Sequence, residues 1–180
     1  MTRGYAYKVL GTDREACHGG HGRWAQRKRW MPRIEHVEPC VSGYHLCRDE
    51  KQLLQWIGPA IWVAEYEGDV VDGGNKIVVS RARLIDRVDA WNEHSARLFA
   101  CDCAERVVHL HFDPRMQAAI KAARLYANGQ IGRDELNAAW NAAGAAARTA
   151  AGAAARTAAR AAEREWQATR LREITGGLPA

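Results

Sequence analysis

The hydrophobic pattern of the chain changes its period near residue 88, and this change limits the folds that the chain can adopt. Before this point, short runs rich in β-branched and aromatic residues are separated by glycine and proline, as in strands and turns. After it, apolar residues recur every three or four positions, as in helices. The sequence therefore predicts an α+β protein, with a small, mostly antiparallel sheet module at residues 1–87 and a helical bundle at residues 88–176.

The first part contains four predicted strands and one short predicted helix. The strands lie at residues 5–10, 43–47, 61–67 and 76–85, and the helix lies at residues 49–57. The sequence Asp-Gly-Gly-Asn at residues 72–75 predicts a hairpin between the last two strands, because glycine and asparagine tolerate positive φ angles.

The second part is rich in alanine and ends in a long predicted helix. Asp113 and Pro114 predict the start of one helix, which ends near Ala127. A further helix begins near Asp134, and its pattern extends to Ile174. Residues 142–149 recur letter for letter at 150–157, and a shift of eight residues turns a helix by about 80° beyond two turns. The arginines of this segment therefore wind around the helix. Its small side chains either let a neighbouring helix of the chain approach closely or form a docking surface for a protein partner or a second copy.

Composition narrows the possible compartment and partners. The formal net charge of +5 permits attraction to an acidic partner, nucleic acid included. Five cysteines at irregular spacing indicate free thiols in a reducing cytoplasm. The sequence contains no Cys-x2-4-Cys knuckle, the usual signature of a structural zinc site. No run of about 18 apolar residues predicts a membrane segment.

The basic aromatic run Arg23–Arg33 is the strongest candidate for anion binding. Guanidinium groups bind phosphate oxygens in pairs, and a tryptophan of this run could stack on a base. The run could bind single-stranded nucleic acid or a dinucleotide, or it could be a loop whose tryptophans cover the sheet. Glu65 and Glu67 alternate along a strand and share one face, where they form either a solvated surface or a pair that supplies a base.

The run Leu98–Val107 and the alanine-rich helices after it resemble a predicted all-helical family of bacterial toxin-immunity proteins, over roughly residues 90–170. The shared run is Ala-Cys-Asp-Cys-Ala-Glu-Arg. This resemblance implies a protein that acts by binding another protein.

The runs Gly43–Cys47 and Trp62–Glu65 are similar to those of an uncharacterised family from actinobacteria and their phages. The order of the predicted elements is also similar to the first half of the ADP-ribosyltransferase fold. That resemblance implies that Lys8 and Tyr44 hold NAD and that Glu65 serves the transfer, with Lys8 in place of the usual arginine or histidine.

These observations predict a cytoplasmic bacterial or phage accessory protein that acts by protein–protein binding, in the manner of an immunity protein or a host-interaction module, with partner contact or self-association through the C-terminal helices. An NAD-dependent, ADP-ribosyltransferase-like enzyme and a protein that binds nucleic acid through Arg23–Arg33 are the alternatives. In the enzyme, the catalytic candidates are Glu65, Tyr44 and His45, and the NAD-binding candidates are Lys8, Trp24, Arg27 and Arg29. Otherwise no cofactor is expected.

Overall fold

An antiparallel sheet organises the first part of the chain in a computed structural model that describes residues 2–108, 114–147 and 156–179. Its strands are β1 (Thr2–Leu10), β2 (Tyr44–Leu46), β3 (Ala60–Asp72) and β4 (Ile77–Arg87), in the order β1-β3-β4-β2. The helices in the described ranges are α1 (Glu50–Leu53), α2 (Glu93–Val108), α3 (Pro114–Ala127), α4 (Arg133–Ala147) and α5 (Arg156–Thr175). The α+β prediction is confirmed.

The turn between β3 and β4 forms the predicted hairpin. The Gly73 N–H donates to the Lys76 carbonyl at 2.9 Å, and the Asp72 carboxylate accepts from the Gly74 N–H at 2.7 Å. Gly74 has a φ of 78°, the left-handed conformation that glycine adopts most easily. The turn chemistry read from the sequence therefore corresponds to the hydrogen bonds that close this hairpin.

The irregular segment between β1 and β2 covers the free edge of β4. β2 pairs only with the first three residues of β4, from Ile77 to Val79. Beyond them, the N–H groups of three segment residues donate at 2.7–2.9 Å to the carbonyls of alternate β4 residues, through the pairs Lys28–Leu84, Met31–Ala82 and Ile34–Ser80. An exposed strand edge is a template for unwanted pairing, so this contact protects β4.

The sheet has a buried apolar core on one face. Trp24 of the irregular segment is buried against the sheet there, and Met31 packs beside it. The sheet residues of this core are Ala6, Leu10, Leu46, Ala64, Ile77, Val79, Ala82 and Leu84. The long irregular segment thus supplies the apolar cover that a helix often supplies in other α+β folds.

The end of α5 belongs with the sheet, where it is held by a partly buried polar cluster. Tyr7 on β1 donates its hydroxyl hydrogen to Glu50 at 2.8 Å, and this hydroxyl lies 3.1 Å from Oγ1 of Thr175. Arg172 donates to the other oxygen of Glu50 at 2.8 Å, and Leu171 beside it is fully buried. Hydrogen bonds and apolar burial together join the last turn of α5 to β1 and α1.

Ion pairs connect neighbouring helices in the helical part. Arg124 on α3 donates to Asp102 at 2.7 Å and to Glu105 at 2.9 Å, both on α2. Arg106 on α2 donates to Glu163 on α5 at 2.9 Å, and its guanidinium lies 4.2 Å from the ring centre of Trp166. Because alanine side chains bury little area, these charged and aromatic contacts add the specificity that large apolar residues would otherwise supply.

The chain divides into two compact units. The sheet unit consists of Met1–Asn92 with Ala168–Ala180, and the helical unit consists of Glu93–Gln167, so that α5 begins in one unit and ends in the other. The continuity of the long predicted helix depends on residues 148–155, which lie outside the described residues together with most of the alanine repeat. Within the described ranges, no helix combines the length and the apolar character needed to cross a bilayer.

Candidate functional site: a cationic cavity in the sheet unit

A cavity of about 750 Å³ opens in the sheet unit, between the sheet and the irregular segment. β1 and the stretch from Cys40 to Cys47 form its floor, and the loop from Ala16 to Trp24 forms one wall. Its polar and aromatic lining residues are Lys8, Cys17, His18, His21, Arg23, Trp24, Cys40, Tyr44, His45, Cys47, Trp56 and Lys76. Four sequence candidates therefore lie in one cavity: Lys8, Trp24, Tyr44 and His45.

Lys8 is the central charge of the cavity. Its ammonium donates to the His45 carbonyl at 3.1 Å and lies 5.0 Å from the ring centre of Trp24. Among the described residues it has no carboxylate partner within ion-pair distance. Burial lowers the pKa of Lys8 to about 8, because the surroundings penalise the charged form.

His45 and Tyr44 are held by their own hydrogen bonds. The Cys40 N–H donates to Nε2 of His45 at 3.1 Å, so this nitrogen carries no proton, and burial with the charges of Lys76 and Lys8 lowers the pKa of His45. The Tyr44 hydroxyl donates to the Pro32 carbonyl at 2.7 Å, and burial raises its pKa. A neutral imidazole and a protonated phenol favour ligand contact over proton transfer at neutral pH.

The two thiols nearest to Lys8 are not activated. Burial raises the pKa of Cys17, and it raises the pKa of Cys47 to about 12, although the charge of Lys8 acts in the opposite direction on both. A nucleophilic cysteine needs a lowered pKa, so this arrangement does not favour thiol catalysis. Within the described residues, no group of three or more histidine, cysteine, aspartate or glutamate side chains is placed to hold a metal ion.

The loop between Ala16 and Trp24 brings polar groups to the cavity wall. A backbone bridge between Glu15 and Arg23 holds the base of the loop, and Gly19 and Gly22 adopt φ angles of 76° and 92°. His18 lies 2.7 Å from the Trp56 carbonyl through Nε2. The positive φ angles of Gly19 and Gly22 therefore shape a tight loop at the cavity wall.

Glu65 does not lie in the cavity. It is adjacent to Ala64 of the apolar core, so its side chain points to the opposite face of the sheet. There its carboxylate is 3% exposed and accepts hydrogen bonds from Arg83 at 2.7 Å and from Arg3 at 2.5 Å. Burial by itself raises the pKa of Glu65, but these two hydrogen bonds outweigh burial and leave the pKa below its usual value. The glutamate of the predicted catalytic set is therefore separated from Tyr44 and His45.

The basic aromatic run is divided among several positions. Trp24 lies in the cavity, whereas Arg27 donates to the Ile85 carbonyl at 2.5 Å and pairs with Asp86. The Trp30 ring lies 4.5 Å from the guanidinium of Arg83 and 5.0 Å from that of Arg81, which also pairs with Glu67. Neither Arg27 nor Arg29 lines the cavity. Binding of nucleic acid through Arg23–Arg33 stays a prediction.

Sequence reasoning did not assign Lys76, Trp56 or His18 to this site. Lys76 lies in the β3–β4 turn, with its ammonium 4.6 Å from the ring centre of Trp56 and 3.3 Å from Sγ of Cys40. His18 contacts the same tryptophan edge-on at 5.6 Å. Only His18 carried a usable signal, because it lies next to the glycines of the loop.

Within the described ranges, the helical unit presents one large apolar side chain to solvent. Trp140 on α4 is 62% exposed, the highest exposure of any aromatic residue in the described ranges. An exposed tryptophan of this kind is typical of binding surfaces, because it contributes a large contact area with little loss of conformational freedom.

Comparison with known proteins bears on the helical part of the chain. Residues 88–166 match the model of a family described as "Imm-5 like putative immunity protein". No curated protein and no solved structure gave a match. The ADP-ribosyltransferase resemblance of the N-terminal part has no support from these comparisons. The helical part is thus similar to a family of immunity proteins, which confirms the resemblance predicted for it.

Proposed function

We propose that this protein acts by binding a protein partner through its helical unit, in the manner of an immunity protein. The observation that carries the proposal is the family match at residues 88–166, which covers nearly all of the helical unit at residues 93–167. An immunity protein neutralises a toxin by binding it, so the expected partner is a protein that inhibits growth when it is produced alone.

Trp140 offers a contact point for such a partner. It lies in the described part of α4, where Asn137 and Asn141 are exposed beside it and carry no charge. Because these neighbours carry no charge, contact with a partner does not remove a charged group from water there, and tryptophan is enriched in binding hot spots. We therefore place Trp140 at the centre of the proposed interface.

The test begins with the tagged full chain as bait in extracts of the organism that encodes it. A captured protein is then purified and titrated against the wild-type chain and Trp140→Ala by calorimetry. We expect saturable 1:1 binding to the wild type and a loss of at least about tenfold in affinity for Trp140→Ala. Production of the partner alone should stop growth, and co-production of the wild-type chain should restore it.

Val41→Ala is the matched control. Val41 is 73% exposed and lies in the sheet unit. The substitution removes exposed apolar area outside the helical unit, so the affinity for the partner should not change. Both variants should keep the wild-type unfolding midpoint, because both side chains are exposed. Equal affinity of Trp140→Ala and wild type would remove Trp140 from the interface. A captured partner that is harmless when produced alone would contradict the immunity function.

A further inference from the structure

We propose that the cavity of the sheet unit binds a small organic phosphate that carries an aromatic ring, the chemical class of the nucleotides. This site is separate from the partner-binding surface proposed for the helical unit. Its residues belong entirely to the sheet unit, between Lys8 and Lys76.

The charge of the lining points to an anion. The cavity is lined by Lys8, Lys76 and Arg23 together with three histidines, and no carboxylate of the part of the chain that the structure describes lines it. Arg23 approaches Asp13 at 3.7 Å outside the lining, but the described residues offer no ion-pair partner to Lys8 or Lys76. Two unpaired ammonium groups in one cavity repel each other, and a bound anion relieves this repulsion.

The loop adds neutral donors to these charges. Within the described residues, none of the backbone N–H groups from His18 to Arg23 donates to another backbone group. These amides lie beside the two left-handed glycines, Gly19 and Gly22. Successive free N–H groups in such a loop are suited to phosphate oxygens, because they provide hydrogen bonds without a competing negative charge.

The size and the aromatic lining point to more than a bare phosphate. A volume of about 750 Å³ lies within the range of sites that hold organic ligands and far exceeds the volume of one phosphate group. Trp24, Tyr44 and Trp56 line the same space as the cations, next to the apolar side chains of Met31 and Leu46. Aromatic walls beside a cationic end fit a ligand with a flat ring and a charged tail.

Lys8 distinguishes this cavity from an ordinary basic surface. The groups nearest to its ammonium are Cys17, Cys47, His45 and Lys76, and none of them carries a negative charge at neutral pH, because burial raises the pKa values of the two thiols. The desolvated ammonium is therefore uncompensated in the free protein. Binding of a phosphate should raise the pKa of Lys8. Formation of the complex between pH 7 and 9 should therefore be accompanied by the uptake of about one proton or less.

The proposal is tested by calorimetry of the full chain with AMP, ATP, NAD, adenosine and inorganic phosphate. We expect saturable binding of at least one nucleotide below about 1 mM, and binding at least about tenfold weaker for adenosine and for phosphate alone. Lys8→Met and Lys76→Met should each weaken nucleotide binding at least about tenfold. Lys121→Met removes the same charge from an exposed position on α3 and should have no effect.

Two further readouts keep the result independent of folding defects. Lys8→Met removes a desolvated charge without a carboxylate partner, so its unfolding midpoint should not fall below that of the wild type. In the wild type, a bound nucleotide should slow alkylation of Cys17, which lines the cavity, and should leave alkylation of Cys103 unchanged.

The proposal is overturned if no nucleotide binds below about 1 mM, or if Lys8→Met and Lys121→Met bind equally well. It is also overturned if a single-stranded oligonucleotide binds more tightly than every mononucleotide with a steep salt dependence, since this indicates a nucleic-acid surface. Failure of this site leaves the partner-binding proposal intact, because Trp140→Ala should not alter nucleotide binding and Lys8→Met should not alter partner binding.

Discussion

Removal of the Glu65 charge should destabilise the sheet unit without touching the cavity. Both oxygens of this carboxylate accept from guanidinium groups, Oε2 from Arg83 at 2.7 Å and Oε1 from Arg3 at 2.5 Å. Glu65→Gln keeps the shape of the side chain, but it removes the charge and replaces one oxygen with an NH₂ group that cannot accept from an arginine.

The size of the loss follows from the exposure of the three side chains. A hydrogen bond to a charged group contributes about 1.5–3 kcal/mol. The Glu65 carboxylate is 3% exposed, whereas Arg83 and Arg3 are 26% and 63% exposed, so both arginines regain water when the charge is removed. The glutamine oxygen still accepts one of the original hydrogen bonds. We therefore expect the free energy of unfolding of the sheet unit to fall by about 2 kcal/mol, near the value of a single charge-assisted hydrogen bond.

The assay is urea unfolding followed by tryptophan fluorescence, since five of the seven tryptophans lie in the sheet unit. A loss of about 2 kcal/mol shifts the midpoint by about 1 M urea at the usual dependence of stability on urea. Glu67→Gln is the matched control on the same strand and face. Glu67 is 24% exposed and has its short hydrogen bond with Arg81 at 2.8 Å, so its loss should stay below about 1 kcal/mol.

The pH dependence provides a second measurement of the same interaction. The folded-state pKa of Glu65 is lowered, because the hydrogen bonds from Arg83 and Arg3 outweigh the effect of burial. The stabilisation from this carboxylate is therefore complete above the unfolded-state pKa of about 4.3 and is lost as the pH falls through the folded-state value. The wild type should lose this contribution in acid, and the difference between wild type and Glu65→Gln should shrink there.

Two results would refute this reasoning. In the first, Glu65→Gln unfolds at the urea concentration of the wild type, which would mean that the carboxylate is not a structural ion-pair partner. In the second, Glu65→Gln and Glu67→Gln lose the same stability, so that burial of Glu65 makes no difference.

Three further predictions concern the sheet unit. Tyr7→Phe removes the hydroxyl that donates to Glu50 and should lower the free energy of unfolding by about 1–2 kcal/mol in urea unfolding, whereas an unchanged value would show that α5 is not held there. Gly68 and Gly74 both have positive φ angles, but a methyl group at Gly68 would clash with Ser80, whereas Gly74 faces open space. Gly68→Ala should therefore cost more stability than Gly74→Ala in thermal unfolding, and equal losses would contradict the clash. Cys17 and Cys40 are exposed, so they should react fastest when the native protein is alkylated and analysed by mass spectrometry. Fast labelling of Cys47 would contradict its burial.

Local sequence patterns were sufficient to predict the four strands, the hairpin and the bounds of α3, because periodicity, caps and turn residues act over a few positions. Pro114 and Ala127 bound α3 as predicted, since an N1 proline and a terminal Asn-Gly are local signals. The hairpin at Asp72 was predicted for the same reason, and the immunity-like resemblance of the helical part also followed from the sequence. The alternation along β3 correctly placed Glu65 and Glu67 on one face.

Which side chains meet depends on tertiary packing. The strand pattern cannot tell which face of the sheet the irregular segment covers, and that choice places Tyr44 in the cavity and Glu65 outside it. Lys8 lies on β1 and Lys76 lies in the turn between β3 and β4, and both line the cavity because these strands belong to one sheet. Desolvation of the Lys8 ammonium and the separation of Glu65 from the cavity both depend on this packing, and no local rule contains it.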